Sequence, residues 1–208
     1  MDTATDRIAP LRDFIVAMTQ LVGRSSEEAT LLREGRTLLA QLIARDDWLP
    51  EAFAQPHPQF YQQYLLHADP LGRFSVVSFV WGPGQRTPIH DHTVWGLIGM
   101  LRGAERGIRY RREADGRLLP LDEAGALLEP GDVEAVSPTV GDIHLVANAI
   151  ADQPSISIHV YGANIGAVVR HVFDERSGEA KPFVSGYSSP VVPNLWDRSA
   201  AVRATVAD

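Results

Sequence analysis

Residues 84–96 read Gly-Gln-Arg-Thr-Pro-Ile-His-Asp-His-Thr-Val-Trp-Gly, and this stretch decides both the fold and the site. Its centre is the pair His90 and His92. Side chains two residues apart on a β-strand point to the same face, so both imidazoles would meet at one interior point and Asp91 would point away. Taken alone, the pair fits a metal site and equally an ordinary pair of core histidines.

A third histidine with ligand-like surroundings lies in residues 141–148, which read Gly-Asp-Ile-His-Leu-Val-Ala-Asn. This histidine, His144, falls on another extended segment. Strands that are distant in sequence converge inside a β-barrel, so imidazoles from two segments can bind one divalent metal ion. The sequence therefore predicts a metal site formed by His90, His92 and His144. Three of the remaining four histidines, His57, His67 and His171, are predicted not to be ligands.

The chain changes from a helical to a strand-like pattern near residue 59. Before it, two segments repeat apolar residues every three or four positions, and Ser25 with Glu28 has the form of a capping box opening the second helix. After it, short β-like runs alternate with Gly, Pro and Asp without an intervening helical period, which favours an antiparallel sandwich or barrel. These runs cover residues 74–81, 107–111, 142–147, 155–161 and 167–173.

The composition is that of one ordinary globular domain. The 208 residues carry 19 basic and 26 acidic side chains, a formal net charge of −7, which disfavours nucleic acid as a partner. The absence of cysteine excludes disulfides, thiolate metal sites and a cysteine nucleophile. No apolar run reaches the roughly 18 residues of a membrane span, and the N-terminus does not resemble a signal peptide. We expect a cytoplasmic protein without a membrane partner.

The glycines around the histidines resemble the two motifs of the cupin superfamily. The first motif is matched by Gly84, His90, His92, Gly96 and Gly103, and the second by Gly131, Pro138, Gly141, His144 and Asn148, with one extra residue in its earlier part. The resemblance implies a mainly β, cupin (jelly-roll) β-barrel with an N-terminal helical cap. We expect a single domain over residues 1–208, with the cap at 1–58 and the barrel plus a C-terminal extension at 59–208.

Gly96 departs from the usual metal cupin, which has a glutamate ligand at this position. Three neutral imidazoles leave the charge of a divalent metal ion uncompensated and leave coordination positions open. Such a site suits an anionic ligand and dioxygen together. A metal-free binding cupin is the other interpretation of the missing carboxylate.

Within the cupins, the sequence His-Asp-His-Thr is similar to the thiol dioxygenases of the cysteine dioxygenase family. That family has a Ser-His-Tyr triad beside its iron, and Ser157, His159 and Tyr161 alternate on one predicted strand. The resemblance implies Fe(II) as cofactor, and O2 and a small thiol carboxylate as substrates that react to give a sulfinate. It also implies that Tyr161 binds the substrate carboxylate or oxygen. The cysteine that is cross-linked to this tyrosine in animal enzymes is absent.

The same resemblance bears on the substrate. Animal cysteine dioxygenases bind the carboxylate of cysteine with an arginine, and Gln63 is the best match to that position in this chain. A bacterial branch with glutamine there acts on 3-mercaptopropionate, and Arg170 matches an arginine of that branch. We therefore expect 3-mercaptopropionate, with L-cysteine next, and Gln63, Arg170 and Tyr161 as substrate-binding residues. Lys181 is the only lysine, which indicates a GC-rich bacterial source.

Two other functions remain open at this point. One is a different metal cupin enzyme whose substrate contains no thiol, and the other is a non-catalytic cupin that uses its barrel to bind a ligand. The oligomeric state is not readable from the sequence. Bound-metal analysis would separate the binding protein from the enzymes, and oxygen uptake with small thiols would separate the two enzymes.

Overall fold

The computed structural model describes residues 7–188 and 199–206 of the chain. Two long helices open the described part, α1 at Ala9–Arg24 and α2 at Glu28–Ile43, and a short helix, α3 at Ser199–Arg203, closes it. Two single 3-10 turns lie at Glu51–Phe53 and Ile165–Ala167. No helix in the described ranges combines the length and apolar character needed to cross a bilayer.

Twelve strands make up the rest of the described secondary structure. The first six are β1 (Gln62–Ala68), β2 (Ser75–Trp81), β3 (Ile89–His90), β4 (Gly96–Arg102), β5 (Glu105–Arg112) and β6 (Leu118–Pro120). The other six are β7 (Ala126–Leu128), β8 (Val133–Val136), β9 (His144–Asn148), β10 (Ser155–Tyr161), β11 (Arg170–Phe173) and β12 (Ala180–Phe183).

The strands form two antiparallel sheets. One sheet has the order β1-β2-β10-β4-β8, and the other has the order β12-β11-β3-β9-β5-β6, with β7 paired to β5. This confirms the predicted mainly β fold with N-terminal helices. Within the described residues the sheets do not join into one hydrogen-bonded ring, so the architecture is the two-sheet form of a jelly roll rather than a closed barrel.

The helices cover the outer face of the first sheet. Strand alternation sends Ile156, Ile158 and Val160 of β10 toward the helices, where they join a core with the apolar face of α1 and α2. Full burial of such a side chain stabilises the fold by roughly 1.5–3 kcal/mol. The alternate residues of β10 point to the interior between the sheets. The helical cap thus fixes the face on which the polar residues of β10 lie.

Two local predictions are wrong. Ser25 does not cap α2: its hydroxyl accepts a hydrogen bond from the backbone N–H of Glu27, and the Glu28 carboxylate instead accepts one from Ser137, 2.6 Å away. A tertiary partner has replaced the local one. The run predicted at 167–173 begins too early, because Ala167 ends a 3-10 turn and strand β11 starts at Arg170.

Candidate metal centre and ligand cavity

The three predicted histidines come together between the sheets. His90 ends β3, His144 begins β9, and the two are direct partners in the antiparallel register. His92 was predicted to lie on a strand, but it lies in the loop after β3 and reaches the cluster from there. The ring centroids are 4.8–4.9 Å apart, and one ring nitrogen from each residue lies within 4.8 Å of the others. This spacing allows one ion to be bound by all three.

The protonation state of the cluster suits metal binding. Burial lowers the pKa of His90 to about 4, and it lowers the pKa values of His92 and His144 well below the ordinary histidine value. All three imidazoles are therefore neutral at neutral pH and have a lone pair available for a metal ion. His144 adds a direct sign of fit, because its Nδ1 is buried and has no hydrogen-bond partner in the described ranges.

Asp142 orients His92, a role that the sequence analysis missed. One carboxylate oxygen accepts hydrogen bonds from the backbone N–H and from Nδ1 of His92, each at 3.0 Å. The other oxygen accepts from the backbone N–H of Thr93 at 2.9 Å, where φ is +62°. A β-branched residue with positive φ is strained, so this carboxylate holds a strained turn in place. Fixing Nδ1 leaves Nε2 of His92 directed at the cluster.

Asp142→Asn is expected to weaken metal binding about 10- to 100-fold while leaving the fold intact, because an outer carboxylate that orients a ligand is lost. The dissociation constant for Zn²⁺ or Co²⁺, measured by competition with a chromophoric chelator, tests this. Asp174→Asn is the matched control, since Asp174 also accepts backbone hydrogen bonds in a turn but lies outside the cluster. Equal metal affinity in the two variants would remove Asp142 from the site.

The Ser-His-Tyr residues also lie together as predicted. Ser157 Oγ is 2.8 Å from Nε2 of His159, and Nδ1 of His159 is 2.7 Å from the Tyr161 hydroxyl. The Tyr161 ring stacks on His92 with a centroid distance of 5.3 Å. Burial lowers the pKa of His159 to about 3 and raises the pKa of Tyr161 far above its usual value, so both groups are neutral.

Gly96 is required by this arrangement. A Cβ atom at residue 96 would lie 2.8 Å from Cδ1 and 3.0 Å from Cε1 of Tyr161. The Tyr161 ring therefore fills the space that a side chain at residue 96 would need. A carboxylate ligand at residue 96 and this placement of Tyr161 exclude each other.

A cavity of 180 Å³ opens beside the three histidines. Its wall is largely aromatic, and its polar lining includes Arg170, Gln63, His159 and Tyr161. No aspartate or glutamate lines it among the described residues. The volume is below the roughly 300–1,000 Å³ of sites for drug-sized ligands, so the cavity suits a ligand of only a few heavy atoms.

Arg170 carries a buried positive charge into this cavity. The residue is 3% exposed, one guanidinium nitrogen donates to Ser185 Oγ at 2.7 Å, and the guanidinium lies 4.6 Å from the Phe183 ring centroid. Its Nε has no hydrogen-bond partner in the described ranges, and no carboxylate there forms an ion pair with it. Burial lowers the pKa of Arg170, with Tyr161 and Tyr61 opposing the effect. A buried guanidinium without an acidic partner calls for an anionic ligand.

Gln63 lies in the cavity wall, but its amide hydrogens are already used. The side-chain nitrogen donates to Ser185 Oγ at 3.1 Å and to the backbone oxygen of Gly186 at 2.9 Å. Ser185 therefore accepts hydrogen bonds from both Gln63 and Arg170. This serine was missed, and its position far along the chain offers no sequence signal that links it to either residue.

Four buried side-chain atoms lack hydrogen-bond partners in the described part of the chain, and three of them belong to this site. Three line the cavity: Nε1 of Trp81, Nδ1 of His144 and Nε of Arg170. The fourth, Oε2 of Glu105, lies outside the cavity lining on a carboxyl whose other oxygen accepts a hydrogen bond from Ser155 Oγ at 3.2 Å. Unsatisfied buried polar groups are rare in folded proteins, and their concentration here marks the functional site. His171 lies outside it, where its ring bonds to Asp91 at 2.9 Å.

The chain is similar to cysteine dioxygenase type 1. It is 24% identical to the cattle (Bos taurus) protein over 119 residues, which is 57% of this chain and 58% of that protein. It is 25% identical to the human (Homo sapiens) protein over 108 residues, 51% and 52% of the two chains. The homology is distant. The match spans about half the length of these curated relatives, and no protein-family model matches the chain.

Solved structures of cupin proteins are also similar to this chain. A cupin 2 conserved barrel domain protein from Salinispora arenicola is 19% identical, with a TM-score of 0.40 over 56% of this chain and 86% of that one. An oxalate oxidase in complex with glycolate is 16% identical, with a TM-score of 0.43 over 60% of this chain and 62% of that one.

Proposed function

We propose that this protein is an Fe(II)-dependent thiol dioxygenase that converts a small thiol carboxylate to its sulfinate, with 3-mercaptopropionate favoured and L-cysteine next. One observation carries the proposal: three buried neutral imidazoles face the same 180 Å³ cavity as a buried guanidinium that forms no ion pair among the described residues. The distant homology to cysteine dioxygenase type 1 supports the same reaction class.

The chain would hold the iron through His90, His92 and His144. When bound, Fe(II) would supply the one-electron chemistry with O2 that places both oxygen atoms on sulfur. With no carboxylate among the ligands, an anionic thiolate can compensate the charge of the ion. The aromatic wall would exclude water, since Tyr61, Phe79 and Trp81 stack on one another with centroid distances of 4.6–6.1 Å.

Arg170 would bind the substrate carboxylate through its Nε, which has no hydrogen-bond partner among residues 7–188 and 199–206. Tyr161 would bind the carboxylate or an oxygen atom through its hydroxyl, held by His159. Gln63 would act through Ser185, keeping that hydroxyl where it positions the Arg170 guanidinium.

The lining favours a substrate without an ammonium group. Asp91 and Asp142 are committed to hydrogen bonds with His171 and His92, and no acidic side chain lines the cavity among the described residues. An ammonium group next to Arg170 would therefore be buried without a partner. This supports 3-mercaptopropionate over L-cysteine. The proposed location is the cytoplasm, because its reducing conditions keep small thiols reduced.

Oxygen uptake by the iron-loaded chain tests this function. With 3-mercaptopropionate, L-cysteine and cysteamine in parallel, we expect one sulfinate per O2 and the largest kcat/KM for 3-mercaptopropionate. Iron that stays bound without oxygen uptake on any thiol would point to another metal cupin enzyme. A chain that takes up no metal would point to a binding protein.

A further inference from the structure

The segment of residues 184–188 follows β12 and joins two polar residues of the cavity wall. Within it, Ser185 Oγ accepts a hydrogen bond from Nη2 of Arg170 at 2.7 Å and another from Nε2 of Gln63 at 3.1 Å. These two N–H groups use both lone pairs of the hydroxyl oxygen. The direction of the Arg170 guanidinium therefore depends on where the 184–188 segment holds Ser185.

The second half of this segment is fixed by backbone hydrogen bonds. The N–H of Gly186 donates to the backbone oxygen of Gly166 at 2.9 Å, and the N–H of Ser188 donates to that of Gln63 at 2.7 Å. These bonds attach the segment to β1 and to the second 3-10 turn. Neither of them involves the backbone of Ser185.

Arg203, the last residue of α3, holds the first half of the segment. Its Nε donates to the backbone oxygen of Val184 at 3.0 Å, and its Nη2 donates to that of Ser185 at 2.8 Å. Gly186 permits this approach, because its φ is +71° and a Cβ atom there would lie 2.8 Å from Nη2 of Arg203. One planar guanidinium thus fixes two consecutive carbonyl groups beside the Ser185 hydroxyl.

We propose that Arg203 is a positioning residue for the cavity. It fixes the backbone of Ser185, and through Ser185 Oγ it sets the direction of the Arg170 guanidinium. Arg203 is itself exposed and lies outside the cavity lining, so it acts on a ligand only through these two residues. Helix α3, which lies outside both sheets, thereby takes part in anion binding.

The rotation of the Arg170 guanidinium tests this proposal without any ligand. In the metal-free full chain labelled with ¹⁵N at arginine, a guanidinium held by Ser185 rotates slowly about its Nε–Cζ bond. We therefore expect separate NMR signals for its two Nη groups, and Arg170→Gln identifies these signals by their loss. Arg203→Met should release Ser185, so the rotation becomes fast and the two Nη signals merge.

Arg106→Met is the matched control. Arg106 is exposed like Arg203, and its Nη1 also donates to two consecutive backbone oxygens, those of Ala124 at 2.8 Å and Gly125 at 3.4 Å. The Arg170 signals should stay separate in this variant. Merged signals in the unaltered chain, or separate signals in Arg203→Met, would overturn the proposal. Merged signals in Arg106→Met would overturn it as well, because loss of any such surface arginine would then loosen the cavity.

Arg203→Lys separates the geometry of the contact from its charge. An ammonium group keeps the positive charge but lacks the planar fork that bonds to both carbonyl groups. We expect the merged signals to persist in this variant. Full recovery of separate signals with lysine would mean that Arg203 acts through its charge rather than by placing Ser185, which contradicts the proposal.

The consequence for ligands rests on the proposed function, in which Arg170 binds a carboxylate. Propionate is the probe, titrated into the metal-free chain. Its dissociation constant should rise about fivefold in Arg203→Met and in Ser185→Ala, because a mobile guanidinium must be ordered when the ligand binds. The double variant should bind no more weakly than Ser185→Ala alone, since both changes act on one path.

The possible failures are distinguishable. Additive losses in the double variant would overturn the assignment of Ser185 as the link between Arg203 and the cavity. Propionate that does not bind the unaltered chain would overturn the carboxylate-binding role of Arg170, whereas the NMR signals decide the positioning role of Arg203 separately. Failed oxygen uptake would overturn only the dioxygenase.

Discussion

His144→Ala is expected to abolish metal binding and oxygen uptake together. Two imidazoles would remain, from His90 and His92, and neither a carboxylate nor another histidine lies within the cluster to replace the third ligand among the described residues. The loss should exceed the ~100-fold upper end that follows removal of an outer partner of a metal ligand. Metal content after dialysis against an iron or zinc buffer, together with the rate of O2 consumption, measures both effects.

The variant should fold normally, so the result is interpretable. Nδ1 of His144 has no hydrogen-bond partner in the described ranges, so alanine leaves no orphaned partner for that atom. Circular dichroism and thermal unfolding would verify this. His57→Ala is the control, because His57 lies in a loop where its ring stacks on Phe60. Full metal content in His144→Ala would exclude His144 from the ligand set.

The alignment of Ser157, His159 and Tyr161 could be predicted because it follows from a local rule. The three residues alternate along β10, so the period of a β-strand places them on one face. His90 and His92 also differ by two positions, but His92 reaches the histidine cluster from the loop after β3. Ile156 and Ile158 pack against the helical cap, so the alternate residues of β10 face the interior between the sheets. This apolar alternation is visible in the sequence.

The partners of these residues could not be predicted, because they come from distant segments. Ser185 joins Gln63 and Arg170 only after β1, β11 and the following segment have packed together. The false capping box at Ser25 has the same cause, since Glu28 is bonded to Ser137, far along the chain. Asp142 stood beside His144 in the quoted motif, yet its partner is His92. Tertiary contacts, rather than local pattern, assign these side chains.

The glycine at residue 96 and the position of Tyr161 in the Ser-His-Tyr triad depend on each other. The Tyr161 ring occupies the space where a side chain at residue 96 would stand. A neutral phenol thus lies where a carboxylate at residue 96 would add a negative charge. Among the described residues, Arg170 is the only Lys or Arg in the cavity lining, and it forms no ion pair. Both features leave positive charge for a ligand to neutralise, which is what a thiolate with a carboxylate would do.

Arg170→Gln is expected to lower kcat/KM for 3-mercaptopropionate about 10²- to 10³-fold, because loss of a buried, charge-assisted carboxylate contact costs about 2–5 kcal/mol. Cysteamine, a thiol without a carboxylate, should lose no more than a few-fold. Arg170→Lys should recover only part of the loss, since an ammonium keeps the charge but not the planar fork.

The thermal stability of the ligand-free protein should not fall with kcat/KM in Arg170→Gln. Arg170 forms no ion pair within the described residues, so its removal relieves a desolvation cost. Arg170→Gln should therefore unfold at a temperature equal to or above that of the unaltered chain when no ligand is present. Arg111→Gln is the matched control, because Arg111 is 66% exposed at its side chain and pairs with Glu113. Equal losses for 3-mercaptopropionate and cysteamine would mean that Arg170 does not bind the carboxylate. A selective loss for 3-mercaptopropionate would place the substrate carboxylate at Arg170. The thiol would then lie beside the three histidines, within reach of the ion that they would hold.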